Sequence, residues 1–311
     1  MVFLPKYLDP RYSPEARALW ASRRRGALDN FPLAAGAYAN TTLYRQAAGA
    51  DLLTVRRSSD NESDSFRAAG MTGNLSDFVG TGATDQGFTT LLTNQGDGNN
   101  AAQTTAGSQP RVVVDGQVQT LGGIPILGDF DGTDDFLRIP YSSAWDVSGN
   151  QLSVIAVINP SLVGGGINRY ILAQYDTTQN ERVWGLLIRS NETLAMFFGD
   201  PSDGSFGGFR QTDTTLQTDT LYIVGATYNE GTVQFYINGE PVTGNSDGSP
   251  PSPPLTLFSS SLDVGIGCTN VQDGADNFYG GKLAGANFWP SIIDVPAAMD
   301  AINAAYGGAI Y

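Results

Sequence analysis

Two clusters of aspartates have the residue types and the spacing of a cation site. Asp131, Asp134 and Asp135 lie within five residues, and Asp273 and Asp276 lie in a second short polar stretch. Carboxylate oxygens at this density are ligands that a hard cation such as Ca²⁺ takes. Aspartates in turns also accept hydrogen bonds from backbone amides, so a purely structural turn is the alternative at both places. The sequence therefore leaves a calcium site as a hypothesis.

A third candidate site is the loop at residues 200–209, which reads DPSDGSFGGF. It combines Asp200 and Asp203 with two aromatic residues, Phe206 and Phe209, and with glycines. Sugars bind to an exposed aromatic ring surrounded by hydrogen-bonding groups, so these four residues are our candidates for glycan binding. The alternative is that the aromatic residues belong to a hydrophobic core, as most do in a β-sandwich.

The composition removes several classes of catalytic site. The 311 residues include no histidine and a single cysteine, Cys268. A Ser-His-Asp or Cys-His nucleophile, a histidine-ligated zinc and an internal disulfide are therefore excluded within this chain. Carboxylate chemistry, cation binding through oxygen and purely structural roles remain. We expect Cys268 to be a small buried hydrophobic residue.

The charge is divided unevenly along the chain. The formal net charge is −14, of which residues 1–26 carry +4 and the remaining residues −18. An acidic protein is not expected to bind nucleic acid, and no apolar run is long enough to insert in a membrane. We expect the basic segment to dock on an acidic partner or a neighbouring subunit, with a solvated terminus as the alternative. The predicted docking residues are Lys6, Arg11, Arg17, Trp20, Arg23, Arg24 and Arg25.

Helix signals at both ends flank a long β-rich region. Capping and charge patterns predict a helix over residues 13–25, and an apolar stripe predicts another over 295–306. From residue 121 onward, short β-branched or aromatic runs recur about every dozen residues between turn signals, which favours an antiparallel sandwich. Residues 31–120 are rich in small and polar residues and contain two clear strands, at 52–57 and 111–114. We assign Trp184 and Trp289 to the core.

Three motifs after residue 121 resemble those of concanavalin A-like, laminin-G-like jelly rolls. They are FDGTDDFLRIP at 130–140, YNEGTVQFYINGEPV at 228–242 and GGKLAGANFW at 280–289. The resemblance implies an all-β, antiparallel jelly-roll sandwich with a short N-terminal helical arm and a C-terminal helix. We expect a docking arm at 1–30 and one jelly roll over 31–311, with irregular first strands at 31–120 and the regular sandwich at 121–311.

A second resemblance covers residues 40–118. The segments VRRSSDN at 55–61, GFTT at 87–90, NNAAQTT at 99–105 and QPRVV at 109–113 are similar to a segment of phage virion proteins and of arabinofuranosidase B-type domains. Relatives usually carry Tyr-Asp-Gln-Ser-Gly where this chain has TNQGD at 93–97. The absence of a signal sequence and of disulfides favours the virion relatives.

These resemblances imply a non-enzymatic structural protein of a tailed phage, made in the host cytoplasm. It would be a tail fibre or spike or a capsid decoration, contacting other virion proteins through the arm, assembling as a homo-oligomer, commonly a trimer, and binding host-surface polysaccharide. The alternative is an arabinofuranosidase-like glycosidase; a bacterial adhesin is disfavoured. The Glu-x-Asp-x-x-Glu pattern of jelly-roll glucanases does not occur among the six glutamates, and Glu181 is the one beside an apolar run.

Overall fold

A computed structural model describes residues 26–147, 149–246 and 256–311. All the predicted docking residues lie outside the described residues. The described chain is built mainly of antiparallel strands with a C-terminal helix, which confirms the predicted all-β class, and the helix predicted over 13–25 lies outside the described residues. None of its helices has the length and apolar character needed to cross a membrane.

The strands are numbered in chain order. They are β1 (Gly36–Ala39), β2 (Asp51–Arg57), β3 (Ser63–Arg67), β4 (Gly87–Leu92), β5 (Ala101–Ala102), β6 (Arg111–Val114), β7 (Gln117–Val118), β8 (Thr120–Leu121), β9 (Ile124–Pro125), β10 (Gly128–Asp131), β11 (Leu137–Ile139), β12 (Gln151–Pro160), β13 (Arg169–Asp176), β14 (Glu181–Ile188), β15 (Thr193–Gly199), β16 (Phe206–Thr215), β17 (Tyr222–Asn229), β18 (Thr232–Ile237), β19 (Glu240–Val242), β20 (Gly244–Ser246), β21 (Val264–Ile266) and β22 (Gly280–Trp289). The α-helices are α1 (Met71–Val79) and α2 (Val295–Ala305), and 3₁₀ turns lie at Arg45–Ala47, Ala106–Ser108 and Ser143–Trp145.

The first sheet is organised around β22. On one side β22 pairs with β12, beyond which follow β17, β18 and β19. On its other side β1 pairs with the second half of β22 and β10 with the first half. All these pairs are antiparallel, and the early strand β1 is therefore part of the same sheet as the last strand.

The second sheet runs in the order β5, β11, β21, β13, β14, β15, β16, β20. Its strands β13 to β16 are consecutive in the chain and form an antiparallel meander. A further set of strands, β3, β2, β4, β6 and β7, is joined to β5 through β4 and to β10 through β6. The strands of residues 36–118 thus connect the two sheets.

A stack of aromatic rings fills the space between the sheets. Phe288 on β22 lies 4.5 Å from Trp184 on β14 and 4.9 Å from Trp145, measured between ring centroids, with the ring planes close to parallel. All three side chains are fully buried. The prediction that Trp184 and Trp289 belong to the core is confirmed, and so is the burial of Cys268.

The C-terminal helix covers the other face of the first sheet. Asp294 caps α2 by accepting a hydrogen bond from the Ala297 amide at 3.2 Å. Gly225 on β17 leaves room for Met299, since a Cβ atom at residue 225 would lie 2.7 Å from the Met299 methyl carbon. The sequence analysis predicted this helix at 295–306, and it is confirmed at Val295–Ala305.

Helix α1 was not predicted from the sequence. Its buried residues Met71, Leu75 and Val79 recur every fourth position, which is the spacing of one helix face. Gly73 and several short polar residues lower its helix propensity, so packing against the neighbouring strands must supply the stability of this helix.

Candidate functional site

Five aromatic side chains cluster on the face of the second sheet that is turned away from the first sheet. Tyr170 and Tyr175 lie on β13, Phe197 on β15, and Phe206 and Phe209 on β16. Ring centroids are 5.3 Å apart for Tyr170 and Tyr175, 4.8 Å for Tyr175 and Phe197, 5.4 Å for Phe197 and Phe209, and 5.6 Å for Phe206 and Phe209. Aromatic pairs attract at these separations. We call these five residues the outer aromatic cluster.

Two irregularities in strand register bring the rings to one face. Successive side chains of a regular strand point to opposite faces, so residues three or five apart should face opposite ways. The pairing of β13 with β14 shifts between Tyr170 and Leu172, and the pairing of β15 with β16 shifts between Phe198 and Gly199. An extra residue on one strand changes the alternation, as in a β-bulge. Tyr170 therefore shares a face with Tyr175, and Phe206 with Phe209.

A glycine on β14 makes room for the cluster. Gly185 lies opposite Ala173 and Phe197 in the sheet. A Cβ atom at residue 185 would lie only 2.7 Å from Cε1 of Tyr170, which is far closer than packed carbon atoms come. The ring of Tyr170 can rest on the strand only because no side chain is present there.

The cluster has one strongly exposed ring. Phe206 is 53% exposed, whereas Phe209 is 8% exposed and Phe197 is fully buried. Phe206 and Phe209 were predicted to lie in a loop, and this prediction was wrong: both lie on β16, and the loop is limited to residues 200–205. The Phe-Gly-Gly-Phe sequence resembles a loop, but it pairs with the end of β15.

The carboxylates of the 200–205 loop stabilise its turns. Asp200 Oδ1 accepts a hydrogen bond from the Ser202 amide at 2.8 Å, and Asp203 Oδ1 accepts one from the Ser205 amide at 2.9 Å. The hydrogen bonds from Ser205 hold the pKa of the Asp203 carboxyl below its usual value, and the charge of Arg182 acts in the same direction. Asp203 is fully ionised at neutral pH and exposed next to the outer aromatic cluster.

The turn between β13 and β14 joins this loop to the second predicted aspartate cluster. On one side Asn180 Nδ2 donates a hydrogen bond to the backbone oxygen of Asp203. On the other side Gln179 Nε2 donates to Asp273 Oδ2 at 2.8 Å. Asp276 accepts hydrogen bonds from Thr269 Oγ1 and from the amide of the Asn277 side chain. Two stretches that the sequence analysis treated separately therefore flank the same turn.

Two arginines pack on the rings at opposite ends of the cluster. The Arg182 guanidinium lies 5.6 Å from the ring centroid of Tyr175, and its Nη1 donates to Asn180 Oδ1 at 2.7 Å and to the Gly204 backbone oxygen at 3.2 Å. The Arg189 guanidinium lies 4.5 Å from the ring centroid of Phe209 and donates to Gln211 Oε1 at 2.8 Å. Neither arginine was among the predicted site residues.

Comparison with known proteins identifies the fold family. A laminin-G-type family model, described as the concanavalin A-like lectin/glucanases superfamily, matches residues 131–295, just over half of the chain. The chain belongs to this superfamily. None of the curated protein sequences compared with it matches.

Solved structures resemble this superfamily member in fold alone. The CBM40 of the Ruminococcus gnavus IT-sialidase, bound to α2,3 sialyllactose, is 13% identical over 52% of this chain and 94% of that chain, with a TM-score of 0.38. A heptameric SAP-like pentraxin from Limulus polyphemus is 18% identical over 55% and 78%, with a TM-score of 0.39. Trypanosoma rangeli sialidase is 11% identical over 68% and 30%, with a TM-score of 0.43.

The first predicted aspartate cluster forms a tight turn after β10, inside the part of the chain that matches the superfamily. Ligand atoms of Asp131, Asp134 and Asp135 lie within 4.8 Å of one another, and among the described residues no other group of three acidic or cysteine side chains does so. Asp131 Oδ1 accepts a hydrogen bond from the Thr133 amide at 2.8 Å, and Asp135 Oδ2 accepts one from the Asp131 amide at 2.9 Å. Calcium takes about six to eight oxygens, so three carboxylates would supply only part of a shell.

The protonation of Asp135 is expected to make stability depend on pH. Burial raises the pKa of this carboxyl to about 7, and the charges of Asp131 and Asp134 act in the same direction. Between about pH 4 and 7 the folded protein therefore holds a proton that the unfolded chain releases, and stability falls as pH rises, by at most about 1.4 kcal/mol per pH unit before solvent screening. Denaturant unfolding in EDTA should show this slope in the wild type and a flatter one in Asp135→Asn. Equal slopes would contradict the assignment.

Proposed function

We propose that this protein is a non-catalytic component of a phage virion whose jelly roll binds host-surface glycans through the outer aromatic cluster. The observation that carries the proposal is the exposed ring of Phe206, which is 53% exposed while resting on two buried phenylalanines. An exposed ring that continues a cluster of other aromatic rings, and is not a singly scattered apolar residue, is a candidate interaction surface. Carboxylates and turn amides beside the ring provide hydrogen-bonding groups for hydroxyls.

The carboxylates near the cluster support binding rather than hydrolysis. A glycosidase needs two carboxyl groups across the scissile bond, one of them with a raised pKa so that it can donate a proton. The pKa of Asp203 is lowered instead, and Glu181 accepts a hydrogen bond from Ser260 Oγ. Asp135 has a pKa raised to about 7, but it lies in the turn after β10 and not in the 200–205 loop. No observation among the described residues favours the glycosidase alternative.

Replacing Phe206 by alanine is expected to weaken glycan binding by about five- to thirtyfold, because stacking on a ring contributes on the order of 1–2 kcal/mol. Binding is measured with the full chain on an array of bacterial surface polysaccharides, followed by titration of those retained. Tyr311→Ala is the matched control, since Tyr311 is an aromatic residue with 44% exposure outside the cluster. Equal binding by Phe206→Ala and wild type would exclude this face as the site, and turnover of a retained glycan would favour the glycosidase.

The virion part of the proposal is supported by the resemblance at residues 40–118 and by the charge division of the chain. Residues 1–26 carry a net charge of +4 and the remaining residues −18. A basic segment of this kind suits attachment to an acidic neighbour, and in a homo-oligomer each adjacent subunit would be such a neighbour. Deleting residues 1–25 is expected to abolish incorporation into particles while the remaining chain stays folded. Particle composition is measured by mass spectrometry, with circular dichroism of the truncated chain as the control. Unchanged incorporation would contradict a docking role.

A further inference from the structure

The two arginines at the outer aromatic cluster are held by contacts with neighbouring groups of the protein. Arg182 stacks on Tyr175 and donates from Nη1 to the Asn180 side chain and the Gly204 backbone oxygen. Arg189 stacks on Phe209 and donates to the Gln211 side chain. Stacking on a ring and hydrogen bonding fix the orientation of each guanidinium, which limits how far it can turn toward an anionic ligand.

The groups presented to solvent at the same place are carboxylates. Asp203 is exposed and held ionised by Ser205, and the Asp200 carboxylate faces the same loop. Across the turn between β13 and β14, Asp273 and Asp276 are both exposed. A ligand lying on Phe206 therefore has ionised carboxylates as the exposed charged groups of the flanking turns, while Arg182 and Arg189 lie half-buried against the rings. The net charge of −14 adds a negative field at longer range.

We infer that this site selects neutral, hydroxyl-rich sugars and rejects sugars that carry a carboxylate or a sulfate. The inference rests on the proposed glycan binding and specifies its ligand class. A carboxylate accepts hydrogen bonds from sugar hydroxyls, and these charge-assisted bonds are stronger than neutral ones. The same carboxylate repels an anionic sugar, so the discrimination comes from a repulsive element as well as an attractive one.

The experiment compares pairs of related sugars in which one member is neutral and the other carries acidic groups. The full chain is titrated with lactose and 3′-sialyllactose, and tested for retention on neutral galactan and on polygalacturonate, all in 150 mM NaCl, a salt concentration that screens distant charges. In each pair of which at least one member binds, the neutral sugar is expected to bind at least about tenfold more tightly than the acidic sugar. Equal or tighter binding of the acidic members would overturn the inference and leave the proposed glycan binding intact. Binding of no sugar, neutral or acidic, would refute the proposed function and the inference with it.

A substitution separates the effect of the loop from that of the overall charge. Asp203→Asn keeps a side-chain oxygen for the Ser205 amide, so the turn is retained, but it removes the charge three residues before Phe206 in the chain. The preference for neutral over acidic sugars should fall at least about threefold. The control is Asp64→Asn, because Asp64 is also exposed and its Oδ1 also accepts a backbone hydrogen bond, from Ser65 on β3. A preference unchanged by Asp203→Asn, or lowered equally by Asp64→Asn, would assign the discrimination to net charge and overturn the role of the loop.

Discussion

Replacing Phe288 by alanine is expected to lower the free energy of unfolding by about 3–5 kcal/mol, the largest loss we predict for a single side chain. Phe288 is fully buried and packs against the rings of both Trp145 and Trp184, so its removal leaves a cavity that two rigid indoles cannot fill. The measurement is denaturant unfolding followed by tryptophan fluorescence.

The control for this cavity is the same substitution at Phe206. Its ring is 53% exposed and contacts Phe197 and Phe209 only at one side, so Phe206→Ala should cost less than about 1 kcal/mol. Similar losses at residues 288 and 206 would contradict the placement of the main core between the two sheets.

Replacing Gly185 by valine is expected to destabilise the protein by about 1–3 kcal/mol and to disrupt the outer aromatic cluster. The new side chain would collide with the Tyr170 ring, since even a Cβ atom would lie 2.7 Å from it, and Tyr170 in turn contacts Tyr175. Glycan affinity should fall together with stability, because Tyr175 packs on the buried ring of Phe197 that also supports Phe206.

A double-mutant cycle tests whether the collision is the cause. Tyr170→Ala removes the ring, so Gly185→Val should be at least about 1 kcal/mol less costly in the Tyr170→Ala background than in the wild type. Gly73→Ala is the control, because a Cβ atom there would meet nothing within 4 Å outside its own helix, and stability should be kept or raised. Additive losses at residues 170 and 185 would contradict the packing described.

Most strands of the sandwich could be predicted from the sequence, but the candidate site could not. Short apolar runs between turn signals gave most strands after residue 121 because each run must bury one or both faces in a sheet. The outer aromatic cluster could not be predicted in the same way. Strict alternation would place Tyr170 opposite to Tyr175, and Phe206 opposite to Phe209, and only the register shifts bring them together.

The aspartates show a different limit of sequence reasoning. A structural turn was the alternative to a cation site at Asp131, and in the structure both Asp131 and Asp203 accept backbone hydrogen bonds within their own loops. What the spacing could not show is that Asp203 and Asp273 flank one turn, since about 70 residues separate them. Helix α1 was missed because its polar residues and Gly73 obscured a buried stripe of three apolar side chains.

The position of β22 has a consequence for how the protein is made. This strand holds β12 on one side and β1 and β10 on the other, and β1 pairs with β22 alone among the described strands. Residues 36–39 pair with residues about 250 positions later in the chain, so this pairing cannot form until those residues have been synthesised. During synthesis the first sheet stays open along β10 and β12 until β22 has left the ribosome, and such open edges are where nascent chains associate wrongly. The first sheet can therefore close only after β22 has been synthesised, however early its other strands are available.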